Sequence, residues 1–183
     1  QAFDTLKFAL TSPPVLALPT QNGDFILDTD ASDVAIGAEL SQIQNGEEKV
    51  IAYGNFSLSK EQRRYCVTRK ELLAVVRFTR HFRHYLLGRT FTLRTDHSSL
   101  RWLMNFHEPQ GQLARWLEEL SQFNMTIVHR PGVKHSNADA LSRMPVKSGH
   151  WEPTAPEIQL KDLPCGGCSY CTKAQNNWTS FSE

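Results

Sequence analysis

The sequence predicts an α/β fold organised on a sheet of mixed strand direction. Three observations carry this: three strand-like stretches joined by short loops, two further strands that each follow helical periodicity, and acidic residues placed where strands stop. Consecutive strands with tight connections lie antiparallel, whereas a strand that returns after a helical crossover lies parallel to an earlier one.

Residues 1–10 have helical spacing, with Phe3, Leu6 and Leu10 on one side, and Ser12, Pro13 and Pro14 end the pattern. Residues 24–30 alternate as a strand and stop on Asp30. Strands over 34–42 and 48–54 flank Asn45-Gly46, a strong hairpin signal. Gly37 inside the second strand marks a bulge or a close approach of backbone. A helix follows in which Thr68 to Glu71 resembles a capping box and Gly88 provides the stop. Its apolar stripe is Leu72, Val75, Val76, Phe82 and Leu86, and Glu71 falls on the flank of that stripe, where a carboxylate is costly unless partnered.

A strand over Thr90 to Thr95 then delivers Asp96. If its neighbour is the first strand, Asp30 and Asp96 emerge at one edge of the sheet, on strands about 4.8 Å apart. Short helices over 98–104 and 112–122 lead to a strand over 123–129 ending on His129, and a last short helix carries Asp139. Trp102 and Trp116 fit helical core positions better than a base-stacking surface. Beyond Arg143, Pro145, Pro153, Pro156 and Pro164 with few aliphatics read as a linker.

The chain has 183 residues, enough for one domain or one domain with a tail, and no apolar run reaches the roughly 18 residues of a membrane span. It carries no secretory signal and starts at Gln1, as expected of a piece of a longer product. A net charge of +1 argues against a generally basic nucleic-acid binder. Residues 60–89, however, hold nine Lys or Arg against two acids, leaving eleven basic and seventeen acidic residues elsewhere. Such a segment is either a phosphate-facing surface or a solvated helix face. Cys66, Cys165, Cys168 and Cys171 do not form a disulfide framework, which favours a reducing, intracellular setting. The Asn55 and Asn177 glycosylation patterns are therefore chance matches. The three clustered cysteines have zinc-ligand spacing but lack a fourth ligand unless His150 or a following segment supplies one.

The ordered set of Thr29-Asp30-Ala31-Ser32, Glu71 with Leu73-Ala74-Val75, Tyr85 to Gly88, Thr95-Asp96-His97, Arg130-Pro131-Gly132 and Asn137 to Arg143 resembles the ribonuclease H domain of gypsy-type long-terminal-repeat retrotransposon polyproteins. The resemblance implies a ribonuclease H-like fold, a mixed five-stranded sheet flanked by helices. It divides the chain into a connection segment after a polymerase domain (1–22), the ribonuclease H domain (23–144), a linker (145–164) and a cysteine-containing tail (165–183). It implies hydrolysis of the RNA strand of RNA–DNA hybrids by two Mg²⁺ ions, with Mn²⁺ able to substitute. The metal-binding catalytic acids fall on Asp30, Glu71, Asp96 and Asp139, and His129 corresponds to an auxiliary histidine. An N-terminal polymerase domain and a C-terminal integrase region are the implied partners, in the cytoplasm or a virus-like particle. All-oxygen ligands suit Mg²⁺ and disfavour softer metals. The rival expectation is a binding or architectural module of the same fold that no longer cuts. The parent would be an RNA-directed DNA polymerase, yet no Tyr-x-Asp-Asp signature occurs in these residues.

Overall fold

A computed structural model describes residues 2–13, 15–97, 100, 111–131 and 136–143. The element order is α1 (Ala2–Leu10), β1 (Phe25–Ala31), β2 (Ala35–Gln44), β3 (Glu47–Ser57), a 3-10 turn (Gln62–Arg64), α2 (Val67–His81), α3 (Arg83–Leu86), β4 (Thr90–Thr95), α4 (Gly111–Leu120), β5 (Asn124–His129) and α5 (Ser136–Ser142). The five strands form one sheet in the order β3-β2-β1-β4-β5. The β1–β2 and β2–β3 pairs are antiparallel, and β1–β4 and β4–β5 are parallel. The mixed sheet follows from the connections: β4 and β5 are each reached through helices, as a parallel neighbour requires.

The hairpin between β2 and β3 turns on Asn45 (φ 53°) and Gly46 (φ 82°). Two successive positive φ angles are the condition that Asn-Gly meets at least cost. The register shift in this pair lies between Leu40 and Ser41, so Gly37 is no bulge. A Cβ at Gly37 would come within 2.5 Å of the Ser142 backbone N and 2.7 Å of the Ala138 carbonyl O. Gly37 therefore lets α5 lie directly on the sheet.

One face of the sheet carries Phe25, Leu27, Leu40, Phe91 and Leu93 against Leu72, Val75, Phe78 and Phe82 of α2 and its C-cap, all buried. Each such side chain contributes roughly 2 kcal/mol by leaving water. On the other face, alternation places Asp28 and Asp30 of β1 beside Glu39 and Gly37 of β2. The apolar face forms the core, and the acidic face carries α5.

The start of α2 differs from the capping-box expectation. Its N-cap is Cys66, with no side-chain cap bond, and the Thr68 hydroxyl instead lies 3.2 Å from His97 Nε2. A local helix signal yields here to a contact made across the fold. Gly88, at φ 77°, does follow the break after α3. The α1 helix has the expected extent but buries none of its residues, Phe3 and Leu6 included. Most of the helix expected over 98–104, with Trp102, lies outside the described residues, as do His150, Trp151, the linker and the Cys165, Cys168 and Cys171 cluster.

Candidate active site

β1 and β4 run parallel and end at the same edge, so Asp30 and Asp96 emerge side by side. Glu71, in the second turn of α2, reaches that edge from the apolar face. One carboxylate oxygen from each of Asp30, Glu71 and Asp96 lies within 4.8 Å of the others. Glu71 is 3% exposed and Asp30 6%.

Two carboxylates this close to a buried third make ionisation of all three unfavourable. Burial, and then the charges of Asp30 and Asp96, push the Glu71 carboxyl well above the usual carboxylate range; the Ala31 N–H opposes this only partly. That N–H donates to Glu71 Oε1 at 3.2 Å, while Glu71 Oε2 is buried with no hydrogen-bond partner among the described residues. An orphaned buried oxygen in an all-oxygen cluster is what a hard divalent cation would satisfy. The residues present fit Mg²⁺ or Mn²⁺.

Asp139 stands on α5 next to this cluster but outside the group of three. Its Oδ1 accepts from Arg143 Nε at 2.7 Å and Nη2 at 2.6 Å. The Arg143 guanidinium is held above its usual pKa by that bond, with burial opposing and with Asp139, Asp30 and Asp96 all contributing charge. Arg143 thus sits within the field of all three aspartates. His129 ends β5 and its Nε2 lies 3.0 Å from the Asp96 carbonyl oxygen. A carbonyl only accepts, so Nε2 carries the proton and Nδ1 is the free nitrogen in the neutral ring. Burial lowers the pKa of His97; the charge of Asp96 opposes this in part, and that of His129 adds a smaller lowering.

Serines escaped the sequence reading. Ser142, fully buried at the end of α5, donates to Asp30 Oδ2. Ser32 Oγ donates to the Ser142 carbonyl at 2.6 Å and accepts the N–H groups of Val34 and Ala35. The second missed group is on the acidic face of the sheet, where Asp28, Glu39 and Glu48 also bring carboxylate oxygens within 4.8 Å. Several cations of the basic segment are engaged within the fold, Lys70 with Asp33 and Arg80 with Glu119.

Residues 20–123, more than half of the chain, match the model of the RNase H-like domain found in reverse transcriptase. The chain belongs to that family. The retrovirus-related Pol polyprotein from transposon 297 of Drosophila melanogaster is 43% identical over 150 residues, covering 82% of the chain and 14% of the relative. The transposon Tf2-3 polyprotein of Schizosaccharomyces pombe is likewise 43% identical over 150 residues, 79% of the chain and 11% of the relative. This RNase H-like domain thus spans a small fraction of these retrotransposon polyproteins. Among solved structures, the foamy viral protease-reverse transcriptase in complex with an RNA/DNA hybrid superposes with a TM-score of 0.58 at 15% identity, over 85% of the chain and 21% of the viral protein. LC11-RNase H1, isolated from compost, gives 0.50 at 16% identity, over 64% of the chain and 91% of that enzyme. At these identities the likeness shows the fold, the ribonuclease H-like fold that the sequence predicts.

Proposed function

We propose that this domain is an endoribonuclease that hydrolyses the RNA strand of RNA–DNA hybrids with two Mg²⁺ ions, as part of a retrotransposon reverse transcriptase polyprotein. The observation that carries this is the convergence of the Asp30, Glu71 and Asp96 oxygens beside the orphaned Glu71 Oε2. Asp30, Glu71, Asp96 and Asp139 would hold the metal. Bound there, divalent cations supply an activated water and charge stabilisation for an in-line displacement at phosphorus.

The chain's own residues prepare this. The Ala31 N–H fixes one Glu71 oxygen and leaves the other open. Asp139, on α5 beside the cluster and paired with Arg143, would be the fourth acid to hold the metal. His129, anchored through Nε2 to the Asp96 backbone, presents Nδ1 as a proton acceptor or donor near the reacting groups. A contact between the Glu71 region and a ribose 2′-hydroxyl would make RNA the strand cut, because that hydroxyl distinguishes the two strands. The hybrid named for the foamy viral protease-reverse transcriptase and the polyprotein context of the curated relatives support the substrate class and a reverse-transcriptase setting; a polymerase domain before this one and an integrase region after it are the partners we propose.

The test is a hybrid with its RNA strand end-labelled, incubated with the chain in Mg²⁺ and in EDTA. RNA fragments in Mg²⁺ alone, with the DNA strand intact, are the expected result. A folded chain that leaves the RNA whole would make it an architectural module of the same fold.

A further inference from the structure

The two serines bind the helix that carries Asp139 to the strand that carries Asp30. A helix leaves its last carbonyls without intrahelical partners. In α5 the sheet supplies them: Asn55 Nδ2 donates to the Leu141 carbonyl and Ser32 Oγ to that of Ser142, at 2.6 Å. With Gly37 admitting close contact, the last turn of α5 is fixed on the strand end. Ser142 Oγ has one proton and two acceptors in reach, Asp30 Oδ2 and the Asp139 carbonyl at 2.9 Å. A carboxylate outcompetes a neutral carbonyl for that proton.

We infer that Ser142 is a positioning residue for the metal centre, its hydroxyl fixing the Asp30 carboxylate through Oδ2 in the place where the three acids converge. The inference rests on the metal-binding reading above and adds to it a residue outside the acid set. It also explains why a polar side chain occupies a fully buried helix end: the donation offsets the desolvation of both groups. The bond couples Asp30 to α5, so the spacing between Asp30 and Asp139 is set before metal arrives.

The experiment titrates the full chain with Mn²⁺ by calorimetry, for wild type, Ser142→Ala, Ser142→Cys and Asn55→Ala, with folding checked by circular dichroism. The cysteine variant keeps the buried volume and supplies only a weak donor. Asn55→Ala loosens the same helix turn without touching Asp30. Both Ser142 variants are expected to weaken Mn²⁺ binding about tenfold, the usual effect of losing a hydrogen bond to a metal ligand. Asn55→Ala should stay within about twofold of wild type, by the same comparison. In hybrid cleavage, Ser142 variants should lose kcat while KM for the hybrid holds. Wild-type affinity in a folded Ser142 variant overturns the inference, and so does an equal loss in Asn55→Ala. A folded wild type that binds no Mn²⁺ overturns the metal reading beneath it, a distinguishable failure.

Discussion

Strand β1 carries two aspartates on one face, two residues apart, and the fold treats them in opposite ways. Asp28, with Glu39 and Glu48, meets arginine. Arg94 Nε donates to Asp28 Oδ1 at 2.9 Å and Arg94 Nη1 to Glu48 Oε2 at 3.0 Å, with Arg130 lying 3.4 Å from Asp28. Burial works against the Arg94 charge, but the bonds to Asp28 and Glu48 outweigh it and raise its pKa. Glu39 is raised by burial, against the bonds from Asn137 and Ser41. Asp30, with Glu71 and Asp96, meets a hydroxyl and a peptide N–H, and one Glu71 oxygen has no hydrogen-bond partner among the described residues. Equal geometry therefore does not make equal sites. Where the cation is built in, the cluster is structural; where carboxylate repulsion is left standing, the cluster is the one to which the proposed function assigns a cation.

The largest expected effect separates the two on activity. Asp30→Asn should lower Mg²⁺-dependent hybrid cleavage on the order of 10³-fold or more, as when one member of a catalytic set is removed, and leave the melting temperature equal or higher. Arg94→Met should do the reverse, costing about 3 kcal/mol in urea denaturation because buried Asp28 loses its principal partner. Gly37→Ala touches both clusters, since α5 bonds Glu39 through Asn137 and Asp30 through Ser142. Lifting the helix should cost about 1 to 3 kcal/mol by overpacking and reduce cleavage as well.

A smaller effect depends on pH. In EDTA the folded chain keeps the Glu71 proton above the usual value of 4.5, whereas the unfolded chain releases it there. Folding then takes up a proton, so wild-type stability falls as pH rises from 4.5 through the raised folded value. Glu71→Gln removes that fall. Its melting temperature should exceed wild type at neutral pH, and the difference should close as pH approaches 4.5. The smallest effect belongs to Glu48→Gln, whose pair with Arg94 is partly exposed: under about 1 kcal/mol, with cleavage retained.

Much of this was legible in the chain itself. The alternation ending on Asp30, the Asn-Gly turn and the helix between β3 and β4 are all read from the sequence; that β4 lies beside β1, on which the meeting of Asp30 and Asp96 depends, is a condition there and a finding of the structure. Local signals failed where long-range contacts decide. Thr68 has the neighbours of a helix cap but turns to His97, 29 positions away. Arg94 alternates like a solvent-facing residue, and only the register with Asp28 shows that it is half-buried as a partner. Ser142 bonds Asp30 across 112 positions, and a serine near a helix end carries no sequence mark of that. Asp139 was expected among the other acids, and the structure pairs it with Arg143 four residues on, a contact that helical spacing alone permits.

The contrast between the clusters reduces to one calorimetric comparison, Mn²⁺ binding by Asp30→Asn against Glu48→Gln. The account predicts that the first abolishes binding and the second leaves it as in wild type. Binding that survives in Asp30→Asn and disappears in Glu48→Gln would contradict it, placing the cation in the arginine-bearing cluster.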